Sequence, residues 1–132
     1  MIRRRIGIDT SVLVRLVTGR PPDIYSLCVE RLTALIADGT EIFASNQVIG
    51  ETFVVVQHHY GAAKEDARAE LRNTLSSGLV APLNGQAVIE ALSASGGPGL
   101  FDRLIANDYA RADLHVLTLD RKMASLPDVR LL

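Results

Sequence analysis

Arg4-Arg5-Ile6-Gly7-Ile8-Asp9-Thr10-Ser11-Val12-Leu13-Val14-Arg15-Leu16 is the stretch on which the fold turns. Arg4 to Asp9 reads as a short buried strand and Ser11 to Thr18 as a helix. Thr10 or Ser11 would cap that helix, because a hydroxyl can accept an orphan N–H of the first turn. Gly19 would stop it. An apolar strand that ends on an acid and passes straight into a helix suggests an open parallel sheet.

The alternation continues along the chain. Pro21-Pro22-Asp23 opens a second helix that runs to about Asp38, because Pro fits a first turn. Ile24, Leu27, Cys28, Leu32, Leu35 and Ile36 form its apolar stripe, so Cys28 reads as a buried, inert thiol. Glu41 to Ala44 is a second strand. Ser45 or Asn46 can cap a helix that reaches Tyr60, although its Val and Phe content also suits a strand. Lys64 to Ser77 is a polar helix, Leu79 to Leu83 a third strand and Asn84 to Ser95 a helix. Gly96-Gly97-Pro98-Gly99 breaks the chain. Leu100 to Ala112 is then a helix, His115 to Thr118 a strand, Arg121 to Ser125 a helical turn and Val129 to Leu132 an edge strand. The expected architecture is α/β, with a short, mostly parallel sheet flanked by helices in one domain over 1–132.

Composition agrees with that reading. The 132 residues are 48% apolar and 22% charged, an ordinary globular balance. Fourteen Lys and Arg against fifteen Asp and Glu give −1, which excludes a broadly basic nucleic-acid glove. A single Cys excludes a disulfide framework and a Cys-based zinc site. No apolar run exceeds the length of Phe53-Val54-Val55-Val56, far from the ~18 residues of a membrane span. Met1-Ile2-Arg3-Arg4-Arg5 starts like a signal peptide, but Asp9, Arg15 and Arg20 follow in place of an apolar stretch. A cytoplasmic protein without a membrane role is expected.

Four acids interrupt apolar surroundings at matching places. Asp9 ends the first strand, and Asp120 follows the strand Val116-Leu117-Thr118-Leu119. Glu51 and Asp102 lie in early turns of helices. Ligands of an open parallel sheet bind outside the carboxyl ends of its strands, so these four acids can converge there. Two carboxylates ~5 Å apart repel by roughly 3 kcal/mol at an effective dielectric of ~20. Convergence therefore calls for protonation or for cations. Hard oxygen donors without nearby His or Cys suit Mg²⁺ or Mn²⁺, which can activate water against a phosphodiester.

These residues resemble a family. Ile8-Asp9-Thr10-Ser11-Val12-Leu13-Val14-Arg15-Leu16 resembles the opening of PIN-domain nucleases. Ser45-Asn46-Gln47-Val48-Ile49-Gly50-Glu51 resembles their second acidic motif, and the likeness continues to His59-Tyr60-Gly61. Phe101-Asp102-Arg103-Leu104-Ile105-Ala106 resembles the third motif. Leu117-Thr118-Leu119-Asp120-Arg121-Lys122-Met123 resembles the fourth. The compact length is similar to the VapC-like toxins of toxin–antitoxin pairs.

The resemblance implies a three-layer PIN-like fold and a Mg²⁺- or Mn²⁺-dependent endoribonuclease. It also implies a homodimer held inactive by a cognate antitoxin protein, with RNA as substrate. Asp9, Asp102 and Asp120 would be metal ligands. Glu51 would bind metal directly or through water, or help to activate the attacking water. Thr118 would support the acidic cluster. One departure is Ala112-Asp113-Leu114, where many relatives have Gly; it bears on the local turn and not on the acids.

Other polar residues read more plainly. Arg15, Arg103, Arg121 and Lys122 lie near the acids in sequence and can contact RNA phosphates or brace the acids. Arg3-Arg4-Arg5 sits at the opposite end of the strand from Asp9. Asp108 lies ~120° around its helix from Asp102, and Asp113 ~16 Å along it, so both read as surface acids. His58, His59 and His115 show no metal spacing. No phosphate loop, GxGxxG or GxSxG motif is present. A receiver or phosphatase built on Asp9 fails for lack of a second acid beside it. A non-catalytic binding module on the same fold is the competing reading.

Overall fold

The computed structural model describes residues 4–132. The first three residues, including Arg3 of the Arg3-Arg4-Arg5 cluster, lie outside the described residues. In chain order the elements are β1 (Arg5–Gly7), α1 (Thr10–Thr18), α2 (Pro22–Ala37), β2 (Glu41–Ala44) and α3 (Asn46–His58). There follow α4 (Lys64–Leu75), β3 (Ala81–Pro82), α5 (Gln86–Ser93) and α6 (Leu100–Arg111). The chain closes with β4 (Val116–Thr118), a 3₁₀ turn (Met123–Ser125) and β5 (Val129–Leu131). Six helices and short parallel strands are consistent with a three-layer α/β fold. No helix of the described residues is long and apolar enough to cross a membrane.

All strand pairs are parallel, but they fall into two sheets. One has the order β1-β2-β3, with Ile6 opposite Ile42 and Phe43 opposite Ala81. The other is a ribbon of β4 and β5, with Val116 opposite Val129. Each predicted strand exists, and most are shorter than the apolar runs suggest. The third is two residues long; the Leu83 N–H just past it still donates to the Ala44 carbonyl, so the missing N–H of Pro82 falls on the outer edge.

The main core forms where helical and strand periods meet. Ile42 and Ala44 point to one side of β2, as the two-residue period requires. Leu13, Leu16 and Val17 of α1, Ile49, Phe53 and Val56 of α3, and Ala67, Leu71 and Leu75 of α4 join them. In α3 the helical spacing of Ile49, Phe53 and Val56 overrides the strand propensity of Val and Phe, and Ser45 caps the helix by accepting the Val48 N–H. A second, smaller cluster joins Val116, Met123 and Val129 to Ala106 of α6.

Two local expectations change. The cap of α1 is Asp9, whose carboxylate accepts the N–H groups of Ser11 and Val12; Thr10 is already helical. A carboxylate placed one residue earlier reaches the same orphan donors and also suits the positive helix end. Along α2 only Leu32 is buried, Ile24 and Leu27 are exposed and Cys28 is half-buried. This helix packs on one side only, so its apolar stripe is wider than its contact.

Thr52 is fully buried in α3, and its hydroxyl has no hydrogen-bond partner. Thr52→Val keeps the shape and removes that orphan, so it should raise stability by about 1 kcal/mol. Leu71→Ala, which opens a cavity in the same core, should cost about 2–5 kcal/mol. Urea unfolding of the two variants beside the parent chain measures both.

Candidate active site

Asp9 stands just past β1 and just before α1, where a strand end and a helix start coincide. Its Oδ1 accepts the Ser11 hydroxyl as well as the backbone N–H of Ser11 at 3.0 Å. The Ser11 hydroxyl, more than any other neighbour, holds the Asp9 carboxyl below its ordinary value, and the two backbone donors add to this. Glu51 lies in the second turn of α3. Its carboxylate accepts the Thr10 hydroxyl and, at 3.2 Å, the Gln47 side-chain amide. Thr10 first, then Gln47, hold Glu51 below its ordinary range against an opposing push from the Asp9 charge. Consecutive residues of one turn, Asp9 and Thr10, thus carry one acid and hold the other.

Beside this pair lies a cleft of about 690 Å³ between α3 and α6, bordered by Thr10, Glu51, Val54, Phe101, Ile105 and Asp108. Gly50 makes the cleft's shape possible. A Cβ there would come within 2.7 Å of the Phe101 ring, so a side chain at this position would displace that ring. At the other end Asn46, buried, donates through Nδ2 to the Leu104 carbonyl at 3.0 Å and to Asn107 Oδ1 at 2.9 Å. Asp108 accepts from Asn46 at 3.0 Å and from Asn84 at 2.8 Å. Asp108 is exposed as expected, yet it anchors α6 and borders the cleft. Only packing against Asn46 and Asn84 reveals that role.

The remaining candidates lie apart from this pair. Asp102 is half-buried in the first turn of α6, and among the described residues it forms no metal-holding group with Asp9 and Glu51. Asp120 caps the 3₁₀ turn region, accepting the Lys122 N–H at 2.8 Å and the Met123 N–H at 3.3 Å. Thr118 accepts the Asp120 N–H at 3.0 Å and so fixes the backbone that carries this acid. Arg103 donates to the carbonyls of Pro98 and Gly96 and braces the glycine-rich loop. Arg15 donates to the Tyr60 hydroxyl at 3.3 Å. Arg121 and Lys122 are exposed, as are His58, His59 and His115. Asp113 is an exposed turn residue with φ of 60°.

The PIN domain family pattern matches residues 6–129, and the chain belongs to this family. Comparison with curated proteins finds no match. PIN domains are typically nucleases, which supports a hydrolase of nucleic-acid phosphodiesters at that general level. They generally use divalent metals. The donor chemistry of Asp9 and Glu51, two ionised oxygen ligands, suits a hard cation. The donor count in one chain does not: among the described residues no group of three or more His, Cys, Asp or Glu could hold a metal ion.

In the metal-free protein, Ser11→Ala should raise the Asp9 midpoint toward 3.8 and Thr10→Ala the Glu51 midpoint toward 4.5. Carboxyl NMR titration reads both. Because both folded values are depressed, their stabilisation is present above the ordinary values and is lost as pH falls through the lowered ones. The parent chain should therefore lose more stability than either variant on acidification below about pH 4.

Proposed function

We propose that this chain is a Mg²⁺- or Mn²⁺-dependent endoribonuclease that cleaves RNA phosphodiesters, the toxin of a toxin–antitoxin pair working in the cytoplasm. The observation that carries the reading is the Asp9–Glu51 pair, held by Ser11 and Thr10, with Thr10 and Glu51 bordering the α3–α6 cleft. Asp102 and Asp120 complete the acidic set that matches the family motifs. Thr118 acts through Asp120, whose N–H donates to it. Arg121 and Lys122 have exposed side chains suited to RNA phosphates, whereas Arg15 and Arg103 brace neighbouring structure. An antitoxin fits as an amphipathic partner, since Ile24, Tyr25 and Leu27 leave an apolar face on α2 open. A homodimer belongs to the same reading. The separation of the acids within one chain favours the second reading, a non-catalytic PIN-like module that binds protein or RNA.

Calorimetric titration of Mn²⁺ into metal-stripped protein separates the two. Saturable binding, lost in Asp9→Asn/Asp120→Asn, is the expected result. Thr118→Val should weaken it about 10–100-fold, the usual cost of losing a group that orients a ligand. Absence of binding by well-folded protein would favour the non-catalytic module. Once a cleaved RNA is in hand, Asp9→Asn and Asp102→Asn should abolish turnover while leaving thermal stability close to that of the parent.

A further inference from the structure

The two sheets each stop at an unfinished edge. In β1-β2-β3 the outer edge of β3 is blunted by Pro82, whereas β1 pairs on one side only and carries no Pro. The Ile8 N–H donates to the Phe43 carbonyl and the Arg4 carbonyl accepts from Glu41, which leaves the backbone of Gly7 facing away from β2. Beside it, Arg5, Gly7, Phe43, Ser45 and Leu83 border a concavity of about 400 Å³. All-parallel sheets ordinarily have both faces covered.

The β4–β5 ribbon is unfinished in a complementary way. Val116 and Val129 pack against Ala106 and Met123 on one side. On the other side Leu117 is 55% exposed, Leu119 83% and Leu132 82%. Two paired strands are marginal by themselves, and these leucines have nothing to cover them within the described residues. Within one chain the ribbon does not pair with β1. Asn46 and Asn84 tie Asn107 and Asp108 of α6, and only residues 112–115 separate that helix from β4. Four residues reach at most ~14 Å.

We propose that β1 takes up strand β4 of a second copy of this chain, and that the exchange is reciprocal. A two-fold exchange covers both open edges at once and leaves no site for a third chain. The apolar pattern selects the register. Ile6 and Ile8 lie on the side of the sheet that carries Ile42 and Ala44. Setting the partner's Leu117 and the partner's Leu119 beside them continues that apolar side by a fourth strand. The same register brings the partner's Asp120 beside Asp9, and so supplies a carboxylate that a single chain does not bring there. The role of that carboxylate rests on the proposed nuclease reading; the strand exchange does not.

The test is a cross-link in full-length protein with Cys28→Ser, Ile8→Cys and Leu119→Cys. Oxidation should give a covalent dimer, read by mass under denaturing, non-reducing conditions. A disulfide closed within one chain would overturn the proposal, since the ribbon would then dock on its own sheet. Failure to cross-link would overturn it as well, provided the unsubstituted chain also sediments as a monomer. The unsubstituted chain should sediment at twice the 14.3 kDa of one chain, and Leu119→Asp at the single-chain mass. Co-refolded Asp9→Asn and Asp120→Asn chains should recover about a quarter of the parental Mn²⁺ sites, because half the pairs are mixed and each rebuilds one site of two. Cross-linking without that recovery would leave the exchange standing and remove the metal reading of the acids.

Discussion

The side chain of Asn46 is 6% exposed, and its amide nitrogen faces three acceptors of α6: the Leu104 carbonyl, Asn107 and Asp108. A buried amide that loses its partners carries the full cost of its desolvation, so this contact resists displacement. Asn84 grips the same two side chains from the loop after β3. Together with the close approach of Phe101 to Gly50, this sets the course of α6 past the carboxyl ends of β2 and β3. The cleft bordered by Glu51 and the position of the C-terminal ribbon both follow from that course.

Charge explains why the acids are arranged as they are in one chain. Asp9 and Glu51 feel each other, yet each has its own hydroxyl donor and stays ionised. Adding two more carboxylates at ~5 Å would introduce several further repulsions of roughly 3 kcal/mol each. Keeping Asp102 and Asp120 on other elements spares a single metal-free chain that cost. A larger cluster becomes favourable only where cations offset the repulsion, and strand exchange would add the partner's Asp120 to Asp9 and Glu51.

Much of this was legible residue by residue. Strand–acid–helix at Ile6 to Leu16 marks the α/β class, and every helix follows from apolar spacing with Gly, Pro or Ser at its ends. The valine-rich helix after Ser45 was the most ambiguous segment, and packing of Ile49, Phe53 and Val56 resolved it. The stripe of α2 misled, because periodicity records which side chains could be buried and not how much surface the neighbours cover. Asp108 reads as a surface acid, and its anchoring role stayed hidden for a related reason. Its partners Asn46 and Asn84 are 62 and 24 residues away, and no local pattern encodes such a contact.

Taken by itself, the sequence determined the class of elements, their order, the four acidic positions and the family motifs that hold them. These depend on local chemistry: side-chain period, capping groups and the residue types that a metal or phosphate requires. Tertiary structure alone decided that Thr10 serves Glu51, that Asp9 replaces Thr10 or Ser11 as the cap, and that the five strands divide into two sheets. Those outcomes depend on distance between residues far apart in the chain. A strand's pattern says that it needs a neighbour, but only packing decides which strand, and from which copy, can reach it.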